Sequence, residues 1–285
     1  CHQPLPETRC GLEHRYDQAM ISHLPGLSLP ERAWGVVRRW ALAWWRILYL
    51  GAVVCVLVLS PSSYGKVTRR ALARHLYLDT APVLLGFTVL AALISLVLAR
   101  IVVVTAISYG LSRYALEMVI RVLVLELIPL TASLFVAMRC TIPNGTQLAL
   151  LRQSGHLARL SHAGADPVRV ELLPRAVAGV FACITLAALS CVVALVLAYL
   201  GVYGFSLAGL PSYTRMFGHV FAPAVTLVFV IKTVLFSLAV ALIPMAAGLY
   251  DTGERTQPDS ELGGLARMFA VLLLIEIGSL VGNYY

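Results

Sequence analysis

The chain has 285 residues, 59% of them apolar and only 13% charged, with a mean hydropathy of +0.84. A soluble domain is about half apolar and about a quarter charged, so the composition excludes an ordinary cytosolic enzyme, a disordered chain and a disulfide-stapled secreted module, and it predicts several transmembrane helices. The net charge of +8 comes almost wholly from arginine, since Lys66 and Lys232 are the only lysines; in an apolar chain such an excess marks cytoplasmic loops and needs no nucleic acid.

Residues 1–30 are polar and broken by Pro4, Pro6, Pro25 and Pro30, and read as a cytoplasmic N-terminal tail. Residues 31–72 form an elbow region. Arg32, Arg39 and Arg46 recur every seven residues and so share a helix face, while Val37, Trp40, Ala41 and Trp44 lie opposite. All four tryptophans sit between positions 34 and 45. A cationic face against a Trp-rich face predicts a helix lying in the membrane interface. The apolar run Ile47 to Leu59 has 13 residues, short of the ~20 a spanning helix needs, and is expected to be shallow or re-entrant. The basic stretch Lys66, Arg69, Arg70, Arg74 follows on the cytoplasmic side.

Five stronger segments come next: Thr80 to about 107, Tyr114 to Met138, Ala176 to about Val202, Phe221 to Tyr250, and Leu265 to about Val281. Each can cross as a helix with its backbone paired internally. The fold class is therefore all-α integral membrane: an N-terminal interfacial elbow helix, five transmembrane helices and a cytoplasmic helix within 140–168. The 139–175 loop that holds it carries Arg139, Arg152, Arg159, Arg169 and Arg175. The positive-inside rule places it and the N-terminus in the cytoplasm, and an odd number of spans places the C-terminus on the other side. Pro143-Asn144-Gly145 predicts a turn in this loop, and Asp166-Pro167 closes it.

Catalytic motifs are absent. Gly65-Lys66 fails the phosphate-loop pattern, because Ser60 and Val67 stand where Gly and Ser or Thr are needed. His156 and His162 are spaced poorly for a metal. The six cysteines form no CxxC and read as small membrane-core residues. No catalytic residue and no cofactor is expected in this chain. The informative residues are Glu126, Lys232 and Glu276, which lie near the middle of their helices. A charge there costs at least about 2.5–3.5 kcal/mol and must face protein or a polar cavity. Two readings stand: a polar lining for a substrate path, or a buried structural pair. Glu117 and Arg121 are four apart and read as a local helix pair.

Several of these residues fall in a familiar order. Ala73-Arg-His-Leu-Tyr77, Glu126-Leu-Ile-Pro129 and Ala137-Met-Arg139 resemble the RQLY-like, ELGP and AGR elements of the MlaE/YrbE family of ABC-transporter permeases. Ala165-Asp-Pro-Val-Arg169 with Pro174-Arg175 is similar to that family's VDPxR…PR, and Ile231-Lys-Thr-Val-Leu-Phe236 with Gly248-Leu-Tyr-Asp251 to its IKSxxF…GYxA region. The resemblance runs over residues 73–285.

It implies a permease subunit that moves phospholipids or related lipids between the bacterial inner membrane and the cell envelope. The implied partners are a cytoplasmic ABC ATPase, which binds the ATP and Mg, a periplasmic MCE-domain protein expected as a hexamer, and a second copy or paralogue of the permease. By resemblance the lipid pathway takes Leu98, Thr105, Tyr109, Glu126, Lys232 and Glu276. ATPase coupling takes Arg139, Arg152, Gly155, Asp166, Pro167 and Arg169. Ile128 and Met138 replace family glycines, Gln147 replaces a Glu, and Gly155 replaces the Glu of a TEQ element, where a glycine weakens a helix by about 1 kcal/mol. This loss motivates an alternative in which the chain is a non-transporting scaffold anchoring an MCE ring.

Overall fold

A computed structural model describes residues 29–60, 66–110, 112–250 and 259–284. The expected tail, except Leu29 and Pro30, lies outside them. The described residues are helical with short turns. Helix α1 spans Leu29–Leu59, α2 Lys66–Ser108 and α3 Ser112–Val119. The chain then passes through wide π turns at Ile120–Leu127, α4 at Ile128–Val136, a second π stretch at Ala137–Thr141 and α5 at Ile142–Gln153. Next come α6 (His156–His162), a π segment at Val168–Leu172, α7 (Leu173–Tyr203), α8 (Leu210–Val220), α9 (Pro223–Tyr250) and α10 (Asp259–Tyr284).

The chain divides between Trp45 and Arg46 into two units. In the first, Trp40 and Trp44 meet edge to face at 5.7 Å, and Trp40 is exposed. The side chains of Arg32, Trp34, Val37 and Arg39 lie outside the described residues. Helix α1 runs on through the apolar run without a break, so Trp40–Leu59 is itself 20 residues of mean hydropathy 2.1. The described chain thus has six helices long and apolar enough to cross a membrane, where the sequence pattern marks five and an elbow. Counting the apolar run from Ile47 misses the tryptophans and alanines that extend it backward.

In the second unit α7 and α9 are central. Helix α7 packs along α2 and against α4 and α9; α9 also packs on α5 and α10. The inner face of α7 is built of Ala176, Ala178, Gly179, Ala182, Ala187, Ala194 and Ala198, all buried. Small side chains let backbones approach closely, which substitutes for the missing hydrophobic drive between helices in lipid. A methyl group added at Gly179 would stand 2.9 Å from Thr141 Cγ2. One core cluster joins Phe87, Val136, Leu186, Phe236 and Met268. A second, toward the far end of α7, gathers Leu123, Val124, Ala194, Ala198 and Val220. A third joins Leu50, Leu148, Leu173 and Met245. Outward-facing Leu85, Leu93, Val192, Val196, Leu274 and Ile277 are exposed. An apolar surface this extensive marks contact with lipid instead of water.

Candidate functional site

Lys232 is the tenth residue of α9 and is 2% exposed. It does not extend toward water. Its ammonium is paired with Glu126 Oε2, stands 2.9 Å from Glu276 Oε2 and donates to the Leu125 carbonyl at 3.2 Å. The Phe236 ring centroid lies 5.7 Å away, one turn along α9. Asn283 of α10 donates to the other oxygen of Glu126 at 3.2 Å. One cation and two carboxylates, each delivered by a different helical segment, therefore meet at one point.

Local sequence explains the carbonyl. Pro129 has no N–H to give back just where the π register (Ile128 N–H to the Leu123 carbonyl) ends, and the two carbonyls there take side-chain donors: Val124 from Cys191 Sγ at 3.7 Å and Leu125 from Lys232. The wide π turns of Ile120–Leu127 carry Glu126; such turns often occur at functional sites. Buried charges are tolerated when they are paired; Lys232 is ion-paired with both carboxylates, while Glu276 Oε2 and Asn283 Oδ1 make no hydrogen bond.

Of the other expected pathway residues, Leu98 and Thr105 lie on α2 and Tyr109 in the turn that follows it. Leu98 is half-buried against the second core cluster. Thr105 is exposed and its hydroxyl donates to the Ile101 carbonyl at 2.8 Å. Tyr109 is exposed. The structure brings Glu126, Lys232 and Glu276 together, with no described contact from Leu98, Thr105 or Tyr109 to them.

The expected coupling residues occupy α5, α6 and their flanks. Here the structure corrects two expectations. Pro143-Asn144-Gly145 is not a turn; it lies in the first two turns of α5. Pro143 stands just after the π stretch Ala137–Thr141, whose last hydrogen bond runs from the Ile142 N–H to the Ala137 carbonyl. Asn144 donates to Asp79 Oδ2 of α2 at 3.0 Å. Gly145 is a contact glycine: a Cβ on it would stand 2.6 Å from the Pro244 carbonyl oxygen of α9, and a Cβ on Gly248 would strike the Gly145 carbonyl. Close packing against α9 holds these residues in a helix.

Gly155 does not weaken a continuous helix either. It separates α5 from α6 with φ +71°, and its N–H donates to the Arg152 carbonyl at 3.0 Å. This left-handed position after a helix end favours glycine.

Arg152 is half-buried and donates to the Leu249 carbonyl, in the last turn of α9, at 2.9 Å. A cation at a helix C-terminus meets unpaired carbonyls and the negative end of the helix dipole. Arg46 adds to the same end, reaching the Tyr250 carbonyl at 3.5 Å. Asp166 accepts from the Val168 N–H at 3.0 Å and pairs with Arg169 at 3.5 Å, with Pro167 between them opening the next helical segment. Arg139 is exposed in the second π stretch. Glu117 and Arg121 do pair, at 3.1 Å.

Sequence reasoning missed Asn283, the Leu125 carbonyl, the Asp79–Asn144 bond and the buried Arg175, which pairs with Glu171 at 2.6 Å. Pro129, three residues after Glu126, was the one available signal for the freed carbonyl. Among the described residues no group of His, Cys, Asp and Glu could hold a metal. Cys140, Cys183 and Cys191 are buried free thiols.

The Permease MlaE family model matches residues 72–280. The chain belongs to the MlaE permease family. Comparison with curated proteins finds no match. Membership in the MlaE family makes the chain an ABC-transporter permease of lipid transport, a transport subunit working with ABC-transporter partners. Its apolar helices make it a multi-pass membrane protein. The match covers Glu126, Lys232 and Glu276 and all of α5 and α6, the two regions that the geometry singles out.

Proposed function

We propose that this MlaE permease moves phospholipids or related lipids between the inner membrane and the cell envelope, driven by a cytoplasmic ABC ATPase and delivering to or receiving from a periplasmic MCE protein. The observation that carries this reading is the placement of Lys232 at mid-helix in α9, between Glu126 and Glu276, on the same helix that α5 grips at Gly145 and Arg152. ATPase-driven motion of α5 and α6 has a direct route to the charged cluster through α9. The apolar walls hold acyl chains, with Leu98 on the inner side of α2 and Thr105 and Tyr109 toward its end. The cluster meets polar headgroup atoms when a lipid passes.

On this reading Arg139, Asp166, Pro167 and Arg169 shape the surface on which the ATPase docks, and Arg152 and Gly155 hold α5 and α6 in place. Two copies of the chain, or one copy and a paralogue, complete the lipid path. The N-terminus is cytoplasmic and the C-terminus is on the periplasmic side, with α1 in the interface. The scaffold alternative rests on the replacement of family Glu residues by Gln147 and Gly155; at Gly155 the left-handed backbone itself favours glycine.

Native mass spectrometry of the complex drawn from mild detergent, with lipid extraction, tests this composition. Two permease chains with two ATPases, an MCE ring and bound phospholipid are expected. A ring with no ATPase would instead favour the scaffold.

A further inference from the structure

Helix α8 has three distinct faces at about 100° per residue. Tyr213, Met216 and Val220 point inward against the second core cluster. Leu210 and Phe217 lie on a flank to one side of that inner face and are exposed, with Phe217 stacked on Phe221 at 4.4 Å. Ser212, Arg215 and His219 lie on the other side and are exposed too. The lead-in to α8 carries the most exposed aromatic ring among the described residues, Phe205 at 94%, and Leu207 at 79%.

The level of this segment is fixed by hydrogen bonds. The Tyr213 hydroxyl donates to the Leu195 carbonyl at 2.9 Å. Leu195 lies about 12 Å down α7 from its last residue, Tyr203. The Tyr199 hydroxyl donates to the Ser206 carbonyl at 2.6 Å, and the Tyr203 ring lies so close to Gly209 that a Cβ there would strike it. The segment is folded back along the last turns of α7 and does not stand off into solvent. At this level α7 itself presents Val196 and Val202 outward, the apolar surface of a membrane span. On α8 the exposed apolar flank and the face of Ser212, Arg215 and His219 lie on opposite sides of the inner face.

We propose that residues 205–217 form an interfacial element embedded in the bilayer, with lipid as the occupant of its apolar flank. Phe205, Leu207, Leu210 and Phe217 enter the boundary between acyl chains and headgroups, while Arg215 and His219 stay at headgroup level. Interfacial helices divide their residues in this way. The inference rests on the chain being a multi-pass membrane protein, not on the identity of its cargo.

Spin labels test it in the full chain, in nanodiscs of phosphatidylcholine and phosphatidylglycerol. Phe205→Cys, Leu207→Cys and Phe217→Cys are compared with Ser212→Cys, Arg215→Cys and His219→Cys. The background carries Cys1→Ser, Cys10→Ser and Cys55→Ser, and the three buried thiols remain. The ratio of oxygen to water-soluble nickel-chelate collisions is expected to be several-fold higher in the first set. Equal nickel accessibility in both sets would overturn the proposal, because the flank would then face water. Exclusion of both reagents at 205 and 207 would overturn it as well, because protein would then cover the flank. Phe205 and Leu207 precede α8, so either label reports alone if the other variant does not fold.

Discussion

At Lys232 a single cation holds two carboxylates from two other helices, so the three residues cannot be altered independently. Lys232→Ala leaves Glu126 and Glu276 facing each other without it. Removing one partner of a buried pair costs about 3–5 kcal/mol, and a shift in melting temperature in detergent reads that loss. The permease is expected to assemble with its partners at permissive temperature and to lose ATP-dependent lipid transport; normal transport by an assembled variant would contradict the assignment. The neutral triple variant Lys232→Met, Glu126→Gln, Glu276→Gln separates the two roles. It is expected to regain most of the stability, because a desolvated charge no longer needs a partner, and to remain transport-deficient. Recovery of both would make the cluster purely structural. The three charges were legible from the sequence by their depth alone, since counting along a helix places them near mid-membrane. Asn283 and the Leu125 carbonyl were not legible, because they reach the cluster only through the pairing of α9 with its neighbours.

Helix α5 shows how an element can contradict its own local sequence. Asn-Gly is a strong turn signal, yet Asn144 bonds Asp79 and Gly145 seats against Pro244. Tertiary contacts outweigh the turn preference there, and no single-segment pattern carries that information. Gly145→Ala pushes a methyl into the α9 backbone, and such overpacking costs about 1–3 kcal/mol. It is expected to leave ATP hydrolysis measurable while lowering the lipid moved per ATP; unchanged coupling would show that α5 does not drive α9 through this contact. The clamp between α7 and α8 has a pH limit. Burial pushes the Tyr213 hydroxyl up to about 12 from its ordinary value of 10. The folded state therefore favours the neutral, donating form. The contribution of the clamp is full below pH ~10 and is lost as pH rises through ~12. Hydrogen exchange in α8 is expected to reflect no loss of this clamp between pH 6 and 9, once the intrinsic pH dependence of exchange is removed. A rise in that corrected rate within the neutral range would contradict the assignment.

For the molecule as a whole, composition and hydropathy made the helical membrane class and five of the long helices legible, because spanning length and internal backbone pairing leave few other solutions. Helix α1 was only half legible. Its cationic and Trp-rich faces suit the interface, whereas its unbroken continuation makes Trp40–Leu59 long enough to cross. The two placements differ in parity. With α1 in the interface, N- and C-terminal tags label from opposite faces of sealed vesicles; labelling of both from one face would mean that α1 crosses. Transport itself is tested most directly in proteoliposomes containing the permease with the proposed ATPase and MCE protein, and a fluorescent phospholipid in the membrane. ATP-dependent exchange of the labelled lipid with acceptor, abolished by Lys232→Ala, is the predicted result. ATP hydrolysis by the intact complex with no movement of any phospholipid would contradict it.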